Sequence, residues 1–280
     1  MKDRYEMNLV EYGYFGTHYS YVKMVYNRDI NNTLVIFPPS QELIFPIRKN
    51  PWLQINRYHS LIPKNIVGTV FVLGYNPNLT VDTFLAEVAE DFRAFIADNI
   101  GPCNIAGISY GGGIAIPFAS KFPELTKKLL LIVSTYAISE QGIELCNKII
   151  EYAKKGEMMH VQLVMSSLFS NWLISLYARF RTRIKWSYLE KYMNSPSTLV
   201  NAYTHIVKHN FDLKKYIHSI QPDTLIIGGT KDQFSSMQLY KELADAIENS
   251  ILVLFNNATH TVPAEKLIKT KKLIADFLKI

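Results

Sequence analysis

The chain has 280 residues, 48% of them apolar and 19% charged, with a formal net charge of +6. That length and apolar content support a sizeable core and exclude a disordered chain, leaving one large domain or a core with an insertion. The opening stretch MKDRYEMNLVEYGYFG has no apolar h-region, and no later apolar run is long enough to span a bilayer, so a cytoplasmic protein with no integral membrane segment is expected.

The chain begins with NLVEYGYFGTHYSYVKMVYN (8–27), rich in Tyr, Val and Phe with Gly16 and Thr17 near its middle, which predicts a hairpin. TLVIF (33–37), stopped by Pro38 and Pro39, and GTVFVLG (68–74) are short continuous apolar runs, as strands buried on both faces should be. A helix entered through Pro51 is predicted over 51–62. A second helix covers 81–99, where Val81, Phe84, Leu85, Val88, Phe92, Phe95 and Ile96 recur at helical spacing. CNIAGIS (103–109) reads as strand, YGGGIAIPFASKF (110–122) as helix and KKLLLIVS (127–134) as strand.

From 139 to 220 the strands lapse and helical patterns follow one another, the first capped by Ser139 and ended by Gly156. The alternation resumes with DTLIIGG (223–229), a helix near 235–248, SILVLF (250–255) and a helix near 263–279. Strands alternating with helices predict an α/β fold whose mostly parallel sheet is covered on both faces, because parallel neighbours need crossover connections. Residues 1–138 and 221–280 are therefore expected to form the core, and 139–220 a helical insertion.

The insertion holds 11 Lys or Arg against 6 Asp or Glu. Within it ARFRTRIKW (178–186) interleaves cations with aromatics, as a nucleic-acid surface would, but a solvated helix face accounts for the pattern and no nucleic-acid partner is expected. Cys103 and Cys146 form no CxxC or metal-ligand spacing and read as reduced, buried thiols. His205 and His209 are spaced i, i+4 with Asp212 nearby, yet HIVKH lacks the glutamate of a zinc-hydrolase helix, so no metal is expected.

The chemistry concentrates in NIAGISYGGGIA (104–115), where Ser109 stands between Gly107 and Gly111 at a strand-to-helix turn. Such a turn forces the serine outward in a strained conformation, the glycines admit close backbone approach, and the helix N-terminus directs N–H groups at developing negative charge. A serine hydroxyl is a poor nucleophile at neutral pH, so the motif requires a histidine base and a group to orient it. Of seven histidines, His260 in FNNATHTVPAE follows the last strand, at the carboxyl end of the sheet where open α/β folds place their sites. His18 falls in the hairpin turn, His59 in a helix, and His160, His205, His209 and His218 in the insertion. Asp232 in IIGGTKDQF emerges at the same edge, whereas Asp223 precedes its strand and Asp245 belongs to a helix.

The order Ser109, Asp232, His260, each just beyond a strand, resembles an α/β-hydrolase with an inserted helical cap, over nearly the whole chain. The resemblance implies a serine hydrolase that cleaves a carboxylic ester or related acyl bond through an acyl-enzyme, with no cofactor. It leaves open acyl transfer to another acceptor, hydrolysis of a carbon–carbon bond, and a low-turnover receptor for small ligands. A serine nucleophile disfavours the dehalogenase and epoxide-hydrolase branches. Where the family often has His-Gly after the third strand, this chain has Pro38-Pro39, neither of which carries an N–H. The oxyanion donors are therefore expected from the amide of Ser40 or Gln41 together with that of Tyr110. Thr259 replaces the glycine that commonly precedes the histidine. Within the cap, Met158, Met165, Phe169 and Trp172, with Met159, Leu168 and Tyr177, are the candidates to line an apolar substrate pocket.

Overall fold

The computed structural model describes residues 7–16, 18–83, 85–210 and 213–279. The predicted hairpin is strands β1 (Leu9–Phe15) and β2 (Tyr19–Val25), turned through Gly16 at φ 55°. Thr17 lies outside the described residues. There follow β3 (Thr33–Phe37), a one-turn helix α1 (Gln41–Ile44), α2 (Pro51–His59), β4 (Thr69–Leu73), α3 (Leu85–Asn99), β5 (Cys103–Ile108), α4 (Tyr110–Lys121) and β6 (Thr126–Ile132). After β6 come α5 (Glu140–Lys154), α6 (Met158–Ser166), α7 (Trp172–Ile184), α8 (Trp186–Leu189), α9 (Pro196–His209) and α10 (Lys214–Ile217), with no strand among the described residues of this segment. The chain closes with β7 (Asp223–Gly229), α11 (Met237–Ala246), β8 (Ser250–Phe255), α12 (Val262–Glu265) and α13 (Leu267–Lys279).

The eight strands form one sheet in the order β1-β2-β4-β3-β5-β6-β7-β8. β2 runs antiparallel to both neighbours, and every other pairing is parallel. Alternate residues of each strand face opposite layers, since the side-chain period is two. Val35, Phe37, Cys103 and Ile105 join the layer of α3, α4 and α11, whereas Leu34, Ile36, Ala106 and Ile108 join the layer of α2 and α13. Burial on both faces is what makes β3 and β4 read as continuous apolar runs.

Several boundaries differ from the periodic reading. The helix expected from 81 begins at Leu85, because Thr80 and Thr83 close a turn with each other: the Thr80 amide donates to Thr83 Oγ1 and the Thr83 amide to the Thr80 carbonyl. Phe84 lies outside the described residues. The last helix is broken at Lys266, where Glu265 turns its carboxylate back to the Thr259 amide and the Ser170 amide. Ser139 caps α5 through the Gly142 amide, and Gly156 ends that helical segment at φ 72°.

Candidate active site

Sheet topology brings the three predicted side chains to one edge. β5, β7 and β8 run parallel, so the residues just beyond their carboxyl ends meet although they are far apart in sequence. Ser109 Oγ lies 2.7 Å from His260 Nε2, and His260 Nδ1 lies 2.9 Å from Asp232 Oδ1 and 3.1 Å from Oδ2. The Asp232 side chain is fully buried and that of His260 is 12% exposed, so their attraction is poorly screened by water.

Ser109 occupies φ 52°, ψ −118°, a region that non-glycine residues enter only when the surroundings over-determine it. Here the Ser109 amide donates to the Ile132 carbonyl, and the Ser109 carbonyl accepts from the Gly112 amide and the Ser134 hydroxyl. The flanking glycines are needed for approach: a Cβ on Gly111 would sit 1.9 Å from the Phe37 carbonyl oxygen, and one on Gly107 2.6 Å from the Gly112 Cα. The start of α4 is thereby pressed against the end of β3, beside the Pro38-Pro39 loop.

Asp232 is held by groups that a search for catalytic motifs does not reveal. Its Oδ1 accepts from the Phe234 and Ser235 amides and its Oδ2 from the Tyr240 hydroxyl at 2.7 Å. Burial, then the adjacent carboxylate, raises the Tyr240 pKa well above its ordinary value, so the phenol stays a donor. Gln233 accepts from the His260 amide and donates to the Leu168 carbonyl, while the Phe234 ring stands 4.6 Å from the imidazole. The only signal in the sequence was adjacency: Gln233 to Ser235 follow the aspartate directly.

Ser40 is buried immediately before α1 and accepts the Tyr203 hydroxyl on its own Oγ; the Gln41 side chain accepts from Arg57. Beneath this loop Glu42 is fully buried, its carboxylate taking the Ile47 amide at 3.0 Å and the Tyr75 amide at 2.8 Å. Loss of hydration pushes its pKa up to about 8, against the opposing pull of those two amides. The Tyr75 hydroxyl donates to the Pro38 carbonyl, completing a brace between the loops after β3 and β4.

The four proposed pocket residues separate. Met158 and Met165 are buried in the large apolar cluster. Phe169 is half-buried between Leu168 and Ser170, whose backbones bond to Gln233 and Glu265 beside Asp232 and His260. Trp172 is 70% exposed and is not brought inward. A surface cavity of about 390 Å³ between the β1–β2 turn and α3, lined by Phe15, Tyr19, Asp91 and Phe95 among others, contains none of these groups.

Cys103 and Cys146 are buried free thiols whose pKa values burial pushes up to about 12. His205 is buried with Nδ1 2.9 Å from the Val81 carbonyl, and its ring stands 4.7 Å from that of His209. Asp212 lies outside the described residues, and among those described no three His, Cys, Asp or Glu side chains are placed to hold a metal ion. No helix among them is long and apolar enough to cross a membrane.

The family model described as serine aminopeptidase, S33, matches residues 80–266. Among curated proteins the chain is similar to monoacylglycerol lipase ABHD6 of Bos taurus, 23% identical over 249 residues that cover 84% of this chain and 73% of that protein. It is also similar to 2-hydroxymuconate semialdehyde hydrolase of Pseudomonas sp. (strain CF600), 24% identical over 210 residues covering 73% and 72%. Among solved structures, MGS-M2, an α/β hydrolase enzyme from a Medee basin deep-sea metagenome library, superposes with a TM-score of 0.71 at 20% identity, over 97% of this chain and 94% of that one.

Proposed function

Given that the chain belongs to the α/β-hydrolase family, within the group described as serine aminopeptidase S33, and is an esterase-like serine hydrolase, we propose that Ser109, His260 and Asp232 are its catalytic triad. The observation that carries this reading is the continuous relay from Ser109 Oγ through both imidazole nitrogens to a buried carboxylate. His260 Nε2 takes the hydroxyl proton as Oγ attacks the substrate carbonyl. Asp232 fixes the tautomer that carries its proton on Nδ1 and stabilises the imidazolium. The proton then passes to the leaving alcohol, and the mirrored sequence with water releases the acid and restores the serine.

The oxyanion that forms at attack is assigned to the Tyr110 amide and the amide of Ser40 or Gln41. The close packing of Gly111 on Phe37 supports this, because it sets the first turn of α4 against the loop that carries Ser40. Residues 139–220 act as a cap: Leu168, Ser170, Asn194, Thr198 and Tyr203 bond to the loops after β3, β4, β7 and β8. Phe169 is assigned to the acyl pocket from this cap, and the burial of Met158 and Met165 in the large apolar cluster favours a substrate with an apolar part. Trp172, on the outer side, is left out of that lining. The two unpaired thiols favour a reducing, cytoplasmic setting.

The test is labelling with a fluorophosphonate followed by intact mass measurement. One adduct on the wild type and none on Ser109→Ala is expected; an equal adduct on the variant removes Ser109 from its role. A panel of p-nitrophenyl esters of rising acyl length then reads the pocket, with activity expected to rise with length. The similarity to 2-hydroxymuconate semialdehyde hydrolase keeps carbon–carbon bond hydrolysis as a second reading on the same triad, separable by product analysis.

A further inference from the structure

Helix α7 is built inside out. Its inward side consists of Ser175, Ala178 and Thr182, with the Ser175 hydroxyl donating to the Ser166 carbonyl and Thr182 Oγ1 3.2 Å from Ser166 Oγ. Its solvent side carries the large apolar residues: Trp172, Leu173, Leu176, Tyr177, Phe180 and Ile184 are 54–70% exposed. At about 100° per residue these six fall within an arc of about 140°, a continuous stripe of the kind that soluble surfaces rarely leave uncovered.

Charge identifies what covers it. From Met158 to Leu189 there is no Asp or Glu, while Arg179, Arg181, Arg183 and Lys185 follow one another along the helix. On the helical wheel Arg181 lies beyond one edge of the stripe and Arg179 beyond the other, with Arg183 just inside that second edge. None of the four makes an ion pair among the described residues. A second copy of the chain would bring these cations face to face around the same stripe, whereas a bilayer bearing anionic lipid takes the apolar side chains into its acyl boundary and the guanidinium groups among its headgroups. We propose that α7 is an interfacial docking element that seats the protein on an anionic membrane surface. The helix begins two residues after Ser170, whose amide is tied to Glu265, so docking sets the cap's anchored loop beside the bilayer.

The test is sedimentation of the full chain with vesicles of phosphatidylglycerol and phosphatidylcholine in equal parts, against vesicles of phosphatidylcholine alone. Binding to the anionic vesicles, weakened by added salt, is expected. Leu176→Asp with Phe180→Asp should weaken it by about tenfold or more for each lost anchor. Arg179→Gln with Arg181→Gln should weaken it by about fivefold per cation. Unchanged far-UV circular dichroism and thermal midpoint establish that the variants fold. Ser109→Ala should bind as the wild type does, so the fate of this proposal is separate from that of the triad. Three results overturn it: wild type that stays in the supernatant, variants that bind undiminished, or equal binding to neutral vesicles. A concentration-dependent dimer abolished by Phe180→Asp, without vesicle binding, would assign the stripe to self-association instead.

Discussion

Tyr240 donates its hydroxyl to Asp232 Oδ2 at 2.7 Å from a fully buried ring, so the carboxylate beside His260 is itself positioned from α11. Tyr240→Phe keeps the ring, which packs on Gly228, and removes only this donor. The expected result is a fall in kcat of about tenfold with KM little changed, equivalent to about 1.4 kcal/mol for one hydrogen bond to a charged group. Steady-state kinetics on a short p-nitrophenyl ester checks it, and a change confined to KM would refute the positioning role.

Asp232→Asn tests the next link. An amide nitrogen presented to His260 Nδ1 would favour the tautomer with its proton on Nε2, which cannot accept from Ser109. A loss of kcat of about 10³ to 10⁴ is expected, with the protein still folded. Activity within tenfold of wild type would exclude Asp232 as the orienting group.

Gly111→Ala should damage the fold as well as the site. The new methyl carbon would meet the Phe37 carbonyl at 1.9 Å, and both partners are backbone in buried elements that cannot step aside. A destabilisation of about 3 kcal/mol or more is expected, read from urea denaturation. Gly156→Ala is the contrast, since no atom lies within 4 Å of its added carbon and only the φ of 72° opposes it. That change should cost about 1 kcal/mol.

Glu42 should make stability fall as pH rises. Its pKa is raised from 4.5 in the reference state to about 8 in the fold, so between those values the folded protein binds more protons than the unfolded chain. The stabilisation is fully present below about pH 4.5 and is lost as pH climbs through about 8. The urea midpoint of the wild type, measured from pH 5 to 8.5, should fall relative to that of Glu42→Gln as pH increases, because the variant lacks this titration. Parallel curves would show that Glu42 stays ionised on its two amide donors throughout.

The strand and helix plan was legible in the sequence because burial on two faces and burial on one leave different periods. β3, β7 and β8 fall where TLVIF, DTLIIGG and SILVLF stand, to the residue. The meeting of Ser109, Asp232 and His260 was legible as well, because parallel strands put every residue just past a strand at the same edge, so position along the chain stood in for position in space. The α7 segment was read as a solvated face and a possible pocket wall, since composition reports that apolar and basic residues alternate but not which side a helix turns to its neighbours.

Sequence by itself determined the order of elements and which serine, aspartate and histidine stand just beyond parallel strands, since both depend on local pattern. Only the tertiary structure decided who holds Asp232, that Trp172 points outward, and that a carboxylate lies buried beneath the loop after β3. Those relations run through backbone amides, ring packing and the side a helix turns to its neighbours, which carry no signature in residue type.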